Sequence, residues 1–246
     1  MTRDEALTLY HPIRASVRRI LKEAVGVCNQ SDFKRAGKAL GLWAKEKIVL
    51  PDEEGPVEML SDIALFEPNQ RGRRAFDFFL SERASRLDPA DADWAERMTH
   101  AFFSLFRCAG PNESGGVWLE NLLDDGRRIW LMDERMEEIA PSVGAFGMRI
   151  FDAGPFHVGF GIAAPTDDET AEFAVQGMKH SGRAPFRHSL AATLYGESIH
   201  GLEYLALEID EAMFESFTTR LLSNHSSVKP PIGGAPKGQS RARKAK

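Results

Sequence analysis

Five side chains near the middle of the chain have the chemistry best suited to holding another molecule: Trp118, Trp130, Arg149 and His157, with Arg128 at their rim. Aromatic planes beside guanidinium groups can take a base, an anionic small molecule or a peptide. All five lie in segments where side chains alternate with a period of two. That alternation assigns Trp118, Trp130, Arg149 and His157 to the second face of a small sheet. The same residue types also anchor packing inside one protein. Packing is the stronger reading, because uncovered tryptophan pairs are uncommon on soluble monomers. A second cluster, Arg71, Arg73 and Arg74 around Gly72, is expected on a helix, either as a solvated basic face or as a contact for an acidic partner.

Other patterns point to a reaction only on paper. Gly159-Phe160-Gly161-Ile162-Ala163-Ala164 matches a dinucleotide fingerprint, but its glycines lie inside an alternating strand instead of opening a helix, which is what phosphate binding needs. Asp32 to Trp43 resembles the first helix and turn of a helix-turn-helix. The segment that should become the recognition helix, KEKIVLPDEEG, instead runs into two prolines and an acid cluster. His180, His188 and His200, with Glu197 and Glu203 nearby, match no metal template. Asp133-Glu134, Glu137-Glu138 and Asp167-Asp168 are expected as solvated loop or helix-start charges, since neighbours in sequence point apart. No serine sits in a nucleophile elbow, and no P-loop lysine follows a glycine-rich strand end. The expectation is no catalytic residue, no metal and no cofactor.

Elements must position these residues. Leu9, Ile13, Val17, Ile20, Leu21 and Val25 recur at three- and four-residue steps, which predicts a helix over 5–27 with Arg14, Arg18, Arg19 and Lys22 on its wet side. Ser31 or Asp32 is expected to cap a second helix through about Leu42, and Pro56 to open a third. Asn69 would cap a fourth through about Arg86, and Asp88-Pro89 a fifth. At Phe102 the period changes from 3.6 to 2. Strands are predicted at Phe102–Ala109, Val117–Leu123, Arg128–Met132, Ala145–Phe151 and Phe156–Ala163, separated by Gly, Pro and Asp-Gly punctuation. Phe156, Val158, Phe160 and Ile162 form one apolar row; His157, Gly159, Gly161 and Ala163 form the other, whose small size allows tight curvature. Thr166 or Asp167 is expected to cap a helix through Lys179. The segment 187–196 reads as either helix or strand, Glu203–Ile209 as a strand, and Asp210 as the cap of a last helix.

The fold class that follows is α+β. An N-terminal helical part (1–101) packs on a small antiparallel sheet or half-barrel (102–165). Helices plus one strand follow (166–225), and then a disordered basic tail (226–246) rich in Pro, Gly and Lys/Arg. The 246 residues carry a net charge of −5, unevenly distributed: the N-terminal helices and the tail are basic and the body between them acidic. Basic ends can attract an anionic partner at low salt, while an acidic body opposes close approach to nucleic acid. The chain has no run of apolar residues long enough to cross a bilayer and no secretory leader, and its two cysteines, Cys28 and Cys108, suit reduced thiols, so a cytoplasmic location is expected.

Two stretches, ALFEPNQRGRRAFDFFL at 64–80 and GVWLENLLDDGRRIWLMDE at 116–134, resemble segments of bacterial proteins with no assigned function. The resemblance implies a bacterial cytoplasmic origin and transfers no active site. The reading that results is a binding or adaptor protein, with a protein partner or a second copy of itself at the interface of helices and sheet. The alternative is a nucleic-acid-associated protein using the basic N-terminal helices, the small barrel and the basic tail.

Overall fold

The computed structural model describes residues 1–51, 55–139, 142–181, 189–201 and 205–206. The expected last helix and the basic tail lie outside them.

Helix α1 (Arg3–Val25) starts from a capping box: the Thr2 hydroxyl accepts the Glu5 N–H and the Glu5 carboxylate accepts the Thr2 N–H, which satisfies two donors the first turn leaves over. Its buried stripe includes Tyr10, Ile13, Val17 and Ile20. Arg14, expected on the wet side, is buried as well, because a strand of the sheet passes that flank and offers the Gly159 carbonyl at 2.9 Å.

Helix α2 (Gln30–Ala39) starts earlier than expected, since Asn29 is its cap and Asp32 the reciprocal partner. In place of a recognition helix, β1 (Trp43–Ala44) and β2 (Lys47–Ile48) form a minimal hairpin, with Lys45 and Glu46 both at positive φ as such tight turns require. Helix α3 (Gly55–Phe66) buries every residue except Glu58. A helix buried on nearly all sides belongs at the centre of the molecule, and α3 packs against α1, α2, α4 and α8.

The Arg71–Arg74 segment is not helical. Asn69 Oδ1 accepts the N–H groups of Arg71 (2.9 Å) and Arg73 (3.2 Å), and Gly72 takes φ +73°. This local side-chain closure competes with helix formation. Helix α4 (Ala75–Arg83) therefore begins after the arginines and ends in a 3₁₀ turn at Ala84–Arg86. Helix α5 (Pro89–Met98) follows, capped by Asp88 as its Asp-Pro start predicts.

The sheet contains β3 (Phe102–Pro111), β4 (Val117–Asn121), β5 (Arg127–Leu131), β6 (Ala145–Asp152) and β7 (His157–Thr166), interrupted by the short α6 (Glu134–Ile139). The strands run β5-β4-β3-β6-β7, all antiparallel neighbours, and β5 then meets β7 in parallel at Leu131 and His157. The half-barrel of the sequence reading is thus a closed five-strand ring with one parallel seam, reinforced where the Met132 N–H reaches the His157 carbonyl. Helices α7 (Asp168–Ser181) and α8 (Leu190–Gly201) come next, and the two-residue β8 (Leu205–Ala206) pairs with Ile162 and Ala163 of β7. The ambiguous 187–196 segment is helical from Leu190.

Two cores result. Inside the ring, Phe106, Leu119, Ile129, Phe146 and Met148 fill the bore. Gly159 leaves the space its neighbour needs, since a Cβ there would run into the Met148 methyl. Outside, the row Phe156, Val158, Ile162 and Ala164 joins the helical core, with Phe160 packed against it. Helices α1, α3, α5, α7 and α8 lie over β3, β6 and β7. Among the described residues, no helix is long and apolar enough to cross a membrane.

Candidate functional site

The hairpin of β4 and β5 brings Trp118 opposite Trp130 and Glu120 opposite Arg128. Opposed residues of antiparallel strands share a face, and these four stand on the outside of the ring. The indoles lie 6.4 Å apart at 44°, both half-buried, while Arg128 is exposed. Asp125 and Gly126 at positive φ make the turn that fixes this register. Trp130 is held on three sides. Its indole N–H donates to the Gly115 carbonyl at 2.7 Å, Phe156 meets it edge-on at 5.4 Å, and Trp118 lies across the strand. Gly115 and Gly116 can hold that loop close because neither has a side chain. At Gly116 (φ +70°) a Cβ would overlap the Leu131 carbonyl oxygen, and its N–H instead donates to Glu137 on α6.

Arg149 shares the outer face but not the surface. It sits where Phe160 to Ile162 of β7 bulge past β6, and α3 covers it. Its guanidinium donates to Asp62 at 2.8 Å and Glu67 at 3.0 Å, and the Phe66 and Phe103 rings lie 5.2 and 5.7 Å from its centre. Only 5% of the residue is exposed. Burial alone would push the guanidinium pKa down; the two carboxylates reverse this and the net shift is upward. Tyr195 of α8 stands edge-on to Phe103. Burial, and then the Asp62 charge, push its phenol well above the ordinary range.

His157 belongs to the opposite, inner row, level with Leu131 at the seam and edge-on to Phe102 at the ring's mouth. Burial lowers its pKa, Asp152 across the strand works against that, and Arg127 adds to it. The structure therefore brings Trp118, Trp130 and Arg128 together on one hairpin, encloses Arg149 separately beneath α3 and turns His157 into the ring. Arg71 and Arg73 are exposed on the α3–α4 turn. Arg74 is bound to Asp77 and donates to the Thr99 carbonyl at 2.8 Å, so it ties that turn to the end of α5.

Among the described residues no three His, Cys, Asp or Glu side chains are placed to hold a metal ion, and Glu203 of the His cluster lies outside those residues. His200 donates from Nε2 to the Leu40 carbonyl, and His188 lies outside the described residues.

Sequence reasoning missed a cleft of about 440 Å³ between α1 and α6. Asp133, expected to be solvated, is at a helix start as predicted but 4% exposed, with its carboxylate accepting the Met136 N–H at 3.0 Å. Burial raises its pKa, and nearby Arg14 partly offsets the shift. The one available signal was the four-residue step Tyr10, Arg14, Arg18, which aligns an aromatic and two cations along one side of α1.

The architecture is a helical layer folded around a closed five-strand ring, with the β4–β5 hairpin left partly exposed. The chain belongs to the family of unknown function DUF7986, whose model matches residues 4–181, a span that includes the whole ring and the five helices before it. No curated protein and no solved structure matches the chain.

Proposed function

We propose that the protein is a binding or adaptor module that receives a protein partner on the outer face of the β4–β5 hairpin, through Trp118 and Trp130 with Glu120 and Arg128 beside them. One observation carries this reading: the two indoles pack on each other, Trp130 is fixed in place, and both are only half-buried. Trp130 has its polar atom satisfied within the chain and its ring wedged against Phe156. It therefore has little conformational freedom left to lose when a partner covers it, and preorganised Trp and Arg side chains dominate protein contacts for that reason. The Glu120–Arg128 pair opposite supplies charges of both signs, which fix register more than they add affinity.

The test is affinity capture with the full chain, comparing Trp118→Ala and Arg128→Glu with the parent, alongside sedimentation over a range of concentrations. A discrete protein, or a second copy of the chain, should associate with the parent. Trp118→Ala should weaken that association by about 2 kcal/mol or more, roughly thirtyfold, with the melting temperature preserved. An association indifferent to both substitutions rules this face out. A complex that instead forms with RNA or DNA, and weakens steeply with salt, would favour the nucleic-acid alternative.

A further inference from the structure

The peptide unit between Gly115 and Gly116 carries two bonds at once. Its carbonyl accepts the Trp130 indole N–H at 2.7 Å, and its N–H donates to the Glu137 carboxylate on α6. In a trans peptide these two groups point to opposite sides, so the unit bridges the tryptophan face and α6, and turning its plane over breaks both bonds together. Side chains on the flanking residues ordinarily resist such a turn. Here both neighbours are glycines, at φ +101° and +70°, and glycine accepts either hand of backbone. The remainder of the loop is fixed by other bonds: the Gly115 N–H to the Asn112 carbonyl (2.9 Å), the Asn112 N–H to the Gly116 carbonyl (3.0 Å) and the Ser114 N–H to Asn112 Oδ1 (2.7 Å). The orientation of this one plane is left to Trp130 and Glu137.

Glu137 has the stronger hold of the two. A hydrogen bond to a carboxylate is roughly twice as strong as one between neutral groups, and an N–H polarised in this way strengthens the carbonyl at the other end of the same peptide. Glu137 is itself gripped by Arg3, whose guanidinium meets both carboxylate oxygens, Nη1 to Oε1 at 3.0 Å and Nη2 to Oε2 at 2.9 Å. Arg3 is the first residue of α1, and its side chain is 46% exposed against 22% for Glu137. A line of contact therefore runs from the first turn of α1, through Glu137 and a single peptide, to the indole at the centre of the proposed partner face. We infer that Glu137 is a positioning residue for that face: it holds the Gly115–Gly116 peptide in the orientation that anchors Trp130, and Arg3 holds Glu137 to this task. The effect on binding rests on the partner reading above, since a turned peptide returns to Trp130 a freedom that a partner must then remove. The positioning itself is a property of the free chain.

The experiment follows the indole N–H groups of Trp43, Trp94, Trp118 and Trp130 by NMR in the isotope-labelled full chain, each assigned from its Trp→Phe variant. Glu137→Ala should speed solvent exchange of the Trp130 indole proton about tenfold or more and leave Trp43 and Trp94 as they were. Glu137→Gln keeps an oxygen for the Gly116 N–H and should recover part of the protection. Arg3→Met should speed Trp130 exchange about threefold, and added salt should do the same in the parent but not in Arg3→Met. Three results each overturn the inference: Trp130 exchange unchanged by Glu137→Ala, all four indoles accelerated alike, or Glu137→Gln behaving as Glu137→Ala does. Because exchange is read without a partner, a failed capture experiment would remove the partner reading and leave this result standing.

Discussion

Replacing Arg149 by Met removes the only cation bonded to Asp62 and Glu67 among the contacts described above, while its length and apolar stem are kept. The 5% exposure of Arg149 and 6% of Asp62 leave almost no water to take the guanidinium's place. Breaking one partner out of a buried pair costs about 3 to 5 kcal/mol, most of it the penalty of an uncompensated carboxylate. The lost contacts with the Phe66 and Phe103 rings act in the same direction. For a chain of this size, a loss of that order lowers the melting temperature by about 6 to 20 °C. The triple variant Arg149→Met, Asp62→Leu, Glu67→Gln removes the stranded charges too, and should recover most of the loss, since whole buried ion pairs can be exchanged for apolar groups at little cost. Urea unfolding of the parent, single and triple variants, with slopes checked for constancy, measures both steps. A single variant within about 1 kcal/mol of the parent, or a triple variant less stable than the single, would show that desolvated charge is not what holds α3 to the ring.

Two further perturbations test the hairpin's support and the cleft floor. Gly116→Ala sets a Cβ against the Leu131 carbonyl at φ +70°, so it should cost about 2 kcal/mol or more in urea unfolding; a neutral result would mean that the loop need not approach β5 so closely. Asp133 has its pKa raised by burial, so the folded state holds the proton more tightly than the unfolded chain and stability falls as pH rises from about 4 through the raised value. Asp133→Asn keeps an oxygen for the Met136 N–H and removes that titration. Its stability relative to the parent should improve between pH 4 and pH 7, and a relative loss over that interval contradicts the assignment.

Much of the ring was legible because its signals are local. The alternation Phe156, Val158, Phe160, Ile162 needs only the pleat and one buried side, and Asp88-Pro89 marks a helix start without reference to the rest of the chain. Closure was not legible, since the contact between Leu131 and His157 joins distant strands in parallel and no turn announces it. That missing contact also explains His157: it was grouped with Arg149, yet the register Phe151 with Val158 and Asp152 with His157 places the two on opposite faces. Arg14 shows the same limit on a helix, where periodicity gives the side of the residue but not what will later cover it. The six residues of α6 are too few for a periodic signal, and with them the cleft escaped notice. Trp118 and Trp130 could be paired from alternation alone, whereas their partial exposure depends on where the helices lie.

The seam of the ring has a consequence for fragments of this chain. One flank of β7 is divided between two tenants: β5 holds its beginning at His157, and β8 holds Ile162 and Ala163 further along. A chain cut at residue 181, where the family match ends, would keep the first and lose the second. It would then carry a short bare ladder of backbone donors and acceptors, a template for recruiting any extended peptide, including its own sibling molecules. Such a fragment is expected to lose solubility before it loses helix content.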